Sequence, residues 1–168
     1  RMWPLAAALG SAPLVMTAPH RARSEDASTS GAEPSAAAKG HILVVDDDVE
    51  LCELFSMRAG ANGYRVTATP GVAPTLEKLE REHFDLILLD LDLGADHGFD
   101  VLDAVVARRP HIPIIVLTAS GTVDSEAEAG RRGAAGFVTK PFHHRDLLQR
   151  ISRAVGEARA RIAVRPSP

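Results

Sequence analysis

The sequence predicts an α/β domain, a doubly wound parallel sheet of five strands with helices on both faces. Three observations lead there. Apolar runs at 42–45, 86–89 and 114–117 are solid rather than alternating, the pattern of strands covered on both sides. Segments of helical period separate the runs, so strands and helices alternate along the chain and right-handed crossovers follow. Each run stops at a polar residue, which sets reactive side chains at the carboxyl ends of the strands, where such sheets bind ligands.

The elements follow in order. Ile42 to Val45 is a central strand ending in Asp46, Asp47 and Asp48. Leu51, Leu54, Phe55 and Ala59 recur at helical spacing, and Gly60, Asn62 and Gly63 punctuate the end of that helix. Tyr64 to Ala68 reads as the second strand, and Val72, Leu76 and Leu79 as a helix running to about His83. Leu86 to Leu89 is the third strand, stopping at Asp90, with a polar, glycine-containing loop over Gly94 to Gly98. Phe99, Leu102, Val105 and Val106 form a helical stripe that Pro110 terminates. Ile114 to Leu117 is the fourth strand, ending at Thr118, and a weaker helix spans about Val123 to Arg132. Gly136 to Thr139 is a short fifth strand before Lys140 and Pro141. Leu147, Leu148, Ile151, Val155 and Ala158 then mark a last amphipathic helix.

Composition bounds the function. The 168 residues give room for one domain and a tail, and 45% are apolar, enough for a buried core. Nineteen basic against 22 acidic residues leave no broad positive field for nucleic acid. Five Phe, one Tyr and one Trp make a poor base-stacking platform. The lone cysteine, Cys52, excludes an internal disulfide and suits a reducing, cytoplasmic setting. Residues 1–39 are dominated by Ala, Ser, Pro, Gly and Thr and predict a disordered leader; a partner-binding arm or an export signal over Trp3 to Ala18 are the other readings. That apolar stretch is short for a membrane span. Before Gly40 stand 4 basic and 3 acidic residues, and after it 15 and 19, so the acidity belongs to the predicted domain at 40–163, with 164–168 as a short tail. No DNA-binding output is expected after the last helix.

The strand ends supply Asp46 and Asp47, then Asp90, Thr118 and Lys140. Carboxylates gathered within several ångströms repel one another by about a kcal/mol or more per pair at intermediate dielectric. A bound cation relieves that repulsion, and Mg²⁺ suits best because it accepts one or two carboxylates and keeps sites for water and phosphate oxygens.

These residues resemble the receiver domains of two-component response regulators. The resemblance covers His41 to about Ala163 and rests on ILVVDDD at 42–48, DLILLDLDL at 85–93, PIIVLTA at 113–119 and GFVTKPF at 136–142, in the family's order and spacing. It implies a flavodoxin-like (βα)5 fold with strand order 2-1-3-4-5. It further implies that Asp90 is the phosphoacceptor and that Asp46 and Asp47, with Asp90 and the backbone carbonyl of Asp92, hold Mg²⁺. By the same resemblance Thr118 hydrogen-bonds the phosphoryl group, Lys140 pairs with it, Phe137 is the switch aromatic and the Lys140–Pro141 bond is cis. The implied partners are a sensor histidine kinase or histidine phosphotransfer protein. An output protein would meet the face made by the fourth helix, fifth strand and fifth helix, and a homodimer is a further expectation. Nucleic acid and membrane are not expected partners. Such a protein is no enzyme beyond its own phosphorylation and dephosphorylation, and it is either stand-alone or part of a longer regulator.

Simpler roles stand beside these. Asp48 reads as a helix cap, Cys52 as a small packed residue and Phe137 as partly core. His143 and His144 diverge on a helix and make a poor metal pair. Asp124, Glu126 and Glu128 with Arg131 and Arg132 read as a solvated face that could double as a partner surface. A phosphatase similar to the haloacid dehalogenase superfamily is the enzymatic alternative, since Asp90-Leu91-Asp92 looks like its acid pair. Residue order opposes it, because the other acids precede Asp90 and only Asp146 and Glu157 follow Lys140. A receiver that scaffolds without phosphorylation is the third reading. Where the family usually places Pro-Gly-hydrophobic-Asp-Gly, this chain has Gly94, Ala95, Asp96, His97 and Gly98, which predicts a looser loop with a histidine near the site.

Overall fold

The computed structural model describes residues 38–94, 96–119 and 121–163. The predicted leader, apart from residues 38 and 39, and the predicted tail lie outside them. Strands β1 (Gly40–Val45), β2 (Tyr64–Thr69) and β3 (Leu86–Asp90) alternate with helices α1 (Val49–Ala61) and α2 (Val72–Arg81). Two short strands, β4 (Asp92–Leu93) and β5 (Asp96–His97), precede α3 (Gly98–Arg108), β6 (Ile114–Thr118), α4 (Val123–Arg131), β7 (Gly136–Thr139) and α5 (His144–Ala163). The main sheet has the order β2-β1-β3-β6-β7, parallel throughout. Counting only its five strands, that is the expected 2-1-3-4-5.

Every residue of β1, β3 and β6 is buried, which is why their sequences are apolar without alternation. One face of the sheet packs on Cys52, Phe55 and Ala59 of α1 and Leu147, Ile151 and Val155 of α5. The other packs on Leu79 of α2 and Val101, Leu102 and Val105 of α3.

The structure corrects the expected elements at several points. In α1 the buried stripe is Cys52, Phe55 and Ala59, whereas Leu54 is 38% exposed, so the face turned to the sheet lies beside the predicted one. Gly60 sits inside that helix, and the chain turns at Gly63 (φ +86°). Helix α2 ends at Arg81, before His83, because Glu82 is extended and the chain must deliver Phe84 to the core. The loop over Gly94 to Gly98 contains half of an antiparallel ribbon, with Asp92 opposite His97 and Leu93 opposite Asp96. Helix α4 stops at Arg131 and α5 runs to Ala163. Within the extension of α5, Arg159 holds Asp85 through Nε and Nη2 at 3.1 and 2.8 Å.

Helix α4 is held differently from the rest. A capping box between Thr122 and Ser125 opens it, and Ala129 is its one buried residue. At its end Arg132 bonds Glu128 and, on α3, Asp103 (both 2.6 Å), and its guanidinium lies 4.9 Å from the Phe99 ring centroid.

At the edge where the strands begin, His41 is buried against Phe84. Its Nε2 lies 2.8 Å from Thr67 Oγ1, and its Nδ1 lies 3.0 Å from the His83 carbonyl and 2.7 Å from Arg65. Burial first, then the Arg65 charge, pushes its pKa below the ordinary histidine value. Among the described residues no helix is long and apolar enough to cross a membrane.

Candidate functional site

Sheet register builds the site. Val45 of β1 lies opposite Leu89 of β3, so the next residues, Asp46 and Asp90, emerge side by side at the carboxyl edge. Asp90 in turn faces Leu117 of β6, one residue before Thr118, and Thr118 faces Thr139 of β7. The Lys140 amide donates to the Thr118 carbonyl at 2.8 Å, which carries the ladder one residue past β7. The Lys140–Pro141 bond that follows is cis, as expected.

From there the Lys140 ammonium reaches back across the sheet and donates to Asp46 Oδ2 at 2.8 Å and to Asp90 Oδ2 at 2.7 Å. Both carboxylates are buried, and the lysine side chain is 18% exposed. Their remaining oxygens accept backbone amides: Asp46 Oδ1 from Asp48 (2.9 Å) and Asp90 Oδ1 from Asp92 (3.2 Å). Thus each acid is fixed by one ammonium and one amide, a charge-assisted pattern that locks its orientation.

The electrostatics follow from burial. Withdrawal from water raises the Asp46 carboxyl above the ordinary range, although Lys140 and the Asp48 amide pull the other way. Burial also acts against the Lys140 charge as its largest single influence, but the hydrogen bonds to Asp46 and Asp90 outweigh it and hold the ammonium ionised. Beneath Asp46, Cys52 is buried with Sγ 3.7 Å from the Asp46 carbonyl. Its thiol is pushed up to about 12, by burial first and then by the neighbouring acids. That is the packed, unreactive cysteine the sequence suggested.

Asp47 is exposed beside this pair, and Asp46, Asp47 and Asp90 each offer an oxygen within 4.8 Å of the others. Two oxygens on opposite sides of one Mg²⁺ stand about 4.2 Å apart, so the set is near the spacing a single hard cation requires. Gly94 (φ +62°) preserves room there, since a Cβ on it would come 3.1 Å from Asp47 Oδ2. The donors and the space both suit a divalent ion.

The other expected residues have definite places. Thr118 is buried at the end of β6, Phe137 is half-buried in β7 three residues before Lys140, and Asp92 is exposed in β4. Asp48 is the N-cap of α1, accepting from the Leu51 amide at 3.0 Å. His143 and His144 lie outside the acidic cluster. Sequence reasoning placed Gly94 and Gly98 in this loop without the close approaches that require them. At Gly98 a Cβ would collide with the Asp90 carbonyl oxygen and Leu91 Cα, so the start of α3 presses on the backbone that carries Asp90. The glycines four residues apart were visible in the chain; what they approach was not.

Comparison with known proteins agrees with this geometry. Residues 42–152 match the family model described as the response regulator receiver domain. The response regulator protein FleR of Pseudomonas aeruginosa is 36% identical over 117 residues, covering 69% of this chain and 25% of FleR. The signal receiver domain of a putative LuxO repressor from Vibrio parahaemolyticus superposes with a TM-score of 0.71 at 26% identity, over 76% of this chain and 98% of that domain. A CheY-like receiver domain from Methanospirillum hungatei gives 0.69 at 28% identity, over 72% and 97%. The chain spans about a quarter of the length of the curated relatives it matches. Nothing in these matches supports the phosphatase alternative. With the sheet order, the acidic rim and the family match all agreeing over the same residues, the chain belongs to the response regulator receiver domain family.

Proposed function

We propose that Asp90 accepts a phosphoryl group from a phosphohistidine on a sensor kinase or histidine phosphotransfer protein, and that the resulting acyl phosphate switches a partner-binding face. The observation that carries this reading is the Lys140 ammonium shared between Asp46 and Asp90 at 2.8 and 2.7 Å. A carboxylate is a weak nucleophile and meets an anionic donor, so the step needs positioned positive charge more than covalent help. Asp90 Oδ forms the new bond to phosphorus as the phosphorus–nitrogen bond breaks and its electron pair returns to the imidazole of the donor. Asp92 N–H keeps the carboxylate oriented, and Lys140 turns toward the incoming phosphoryl oxygens.

Asp46, Asp47, Asp90 and the Asp92 carbonyl are the groups that would hold Mg²⁺. Bound there, the ion neutralises phosphoryl charge. Thr118 then donates to a phosphoryl oxygen, and Phe137 turns into the space this frees. The change biases the surface of α4, β7 and α5 between two states, which an output protein or a second copy reads. Incubation with acetyl phosphate and Mg²⁺ should add one phosphoryl group per chain, and Asp90→Asn should abolish it. Label retained in Asp90→Asn would overturn the assignment, and continuous hydrolysis of phosphomonoesters would restore the phosphatase.

A further inference from the structure

Away from the acidic rim, a groove of about 540 Å³ lies between the end of α1 and the first half of α5. Its wall carries three cations from three segments: Lys39 before β1, Arg58 in the last turn of α1, and Arg145 in α5. Tyr64, Asn62, Gln149 and Ser152 add neutral polar groups, and no acidic residue lines it. In a chain with more acids than bases, three cations converging on one concavity is a departure that needs a reason.

Ion pairing does not supply it. Arg65, Lys78, Arg81, Arg131, Arg132, Lys140, Arg153 and Arg159 all pair with carboxylates. Among the described residues, Lys39, Arg58 and Arg145 pair with no carboxylate, nor do Arg108, Arg109, Arg150 and Arg161; what sets the first three apart is that they line one concavity. The Lys39 stem is nonetheless fixed, packed along Gly63 so that a Cβ there would meet Lys39 Cγ at 3.5 Å. His144 lies in the same wall, where burial and then the nearby Arg58 charge lower its pKa. Its Nδ1 is shut off from water and has no hydrogen-bond partner.

We propose that this groove binds a small polyphosphate, with Arg58 and Arg145 forking onto phosphate oxygens and Lys39 serving as a point charge. Guanidinium groups match phosphate oxygens two at a time, and the volume is in the usual range of about 300–1,000 Å³ for small-ligand sites. The groove shares no residue with the aspartate site, so the inference stands apart from phosphorylation at Asp90.

The test is a metal-free titration of the full chain with inorganic triphosphate, followed by amide chemical shifts. Without a divalent ion the carboxylates at 46, 47 and 90 repel the probe. The amides of Arg58, Tyr64 and Gln149 should shift saturably while those of Asp90 and Lys140 stay still. Arg58→Gln and Arg145→Gln should each weaken binding about tenfold, as loss of a charge-assisted bond implies, and Arg150→Gln, outside the groove, should not. Parallel titrations with ADP and pyrophosphate distinguish sources: tighter binding of ADP means a nucleotide, equal or weaker binding a bare phosphate chain. Absence of saturable shifts, or equal weakening by Arg150→Gln, would overturn the proposal. Acetyl phosphate labelling of the same variants should be unchanged, so failure here is separable from failure at Asp90.

Discussion

Replacing Lys140 by methionine keeps most of the apolar stem and removes the charge shared by Asp46 and Asp90. The two charge-assisted bonds, at 2.8 and 2.7 Å, are each worth about 1.5–3 kcal/mol, but they draw on one ammonium and cannot simply be added. Removing one partner of a buried ion pair costs about 3–5 kcal/mol because the remaining charge is stranded. Here two acids are stranded, yet the rim is open enough to leave the lysine 18% exposed, so water recovers part of the loss. The expected destabilisation is about 3 kcal/mol. Urea unfolding near neutral pH with a chelator present measures it, and an unchanged m-value shows that the same surface unfolds. The gap should narrow as the pH falls, since burial already favours the protonated Asp46 carboxyl and a neutral acid no longer needs the ammonium. Added Mg²⁺ should stabilise the variant more than the wild type. A loss below about 1 kcal/mol, or a gap that widens in acid, would refute the argument that Lys140 offsets this pair.

Other consequences can be measured separately. His41 has a folded pKa below its ordinary value of 6.5, so the unfolded chain takes the proton first. Its contribution to stability should therefore fall as the pH drops below 6.5 toward the folded value, and thermal unfolding of His41→Gln, with Arg65, Glu82 and Asp85 left in place, should lack that slope. Gly98→Ala should cost about 3 kcal/mol or prevent folding, because the methyl group meets the Asp90 and Leu91 backbone; retention of the wild-type melting temperature would contradict the close approach. With its thiol pushed up to about 12, Cys52 should resist a thiol reagent in the native protein and react promptly in urea.

What could be read in advance divides along physical lines. The strands β1, β3 and β6 announce themselves because burial on both faces demands unbroken apolar runs, and the acids at their ends are legible because a parallel sheet brings successive carboxyl ends to one rim. In α1 Phe55 and Ala59 are turned inward as expected, but Cys52 is buried and Leu54 is not, because both are apolar and only packing decides between them. The β4–β5 ribbon escaped notice since two-residue strands carry no period. Arg159, in the unforeseen part of α5, finds Asp85 in a pairing 74 residues apart that no local pattern encodes. That Asp46, Asp47, Asp90 and Lys140 gather at one rim was legible, but the lysine bridge was not. Asp46 and Asp90 meet through register, and which cation lies between them is a matter of side-chain reach.

The manner in which α4 is attached sets it apart in kind from its neighbours. Where the other helices are glued by grease, this one is tethered by ions and a ring at solvent's edge, through Arg132, Glu128, Asp103 and Phe99. Such a tether is weakened by electrolyte, whose screening length is about 8 Å at physiological strength, and the one buried side chain that α4 contributes is a small alanine. The domain therefore holds one helix chiefly through its rim, so the strength of that attachment depends on the surrounding salt in a way the sheet behind it does not.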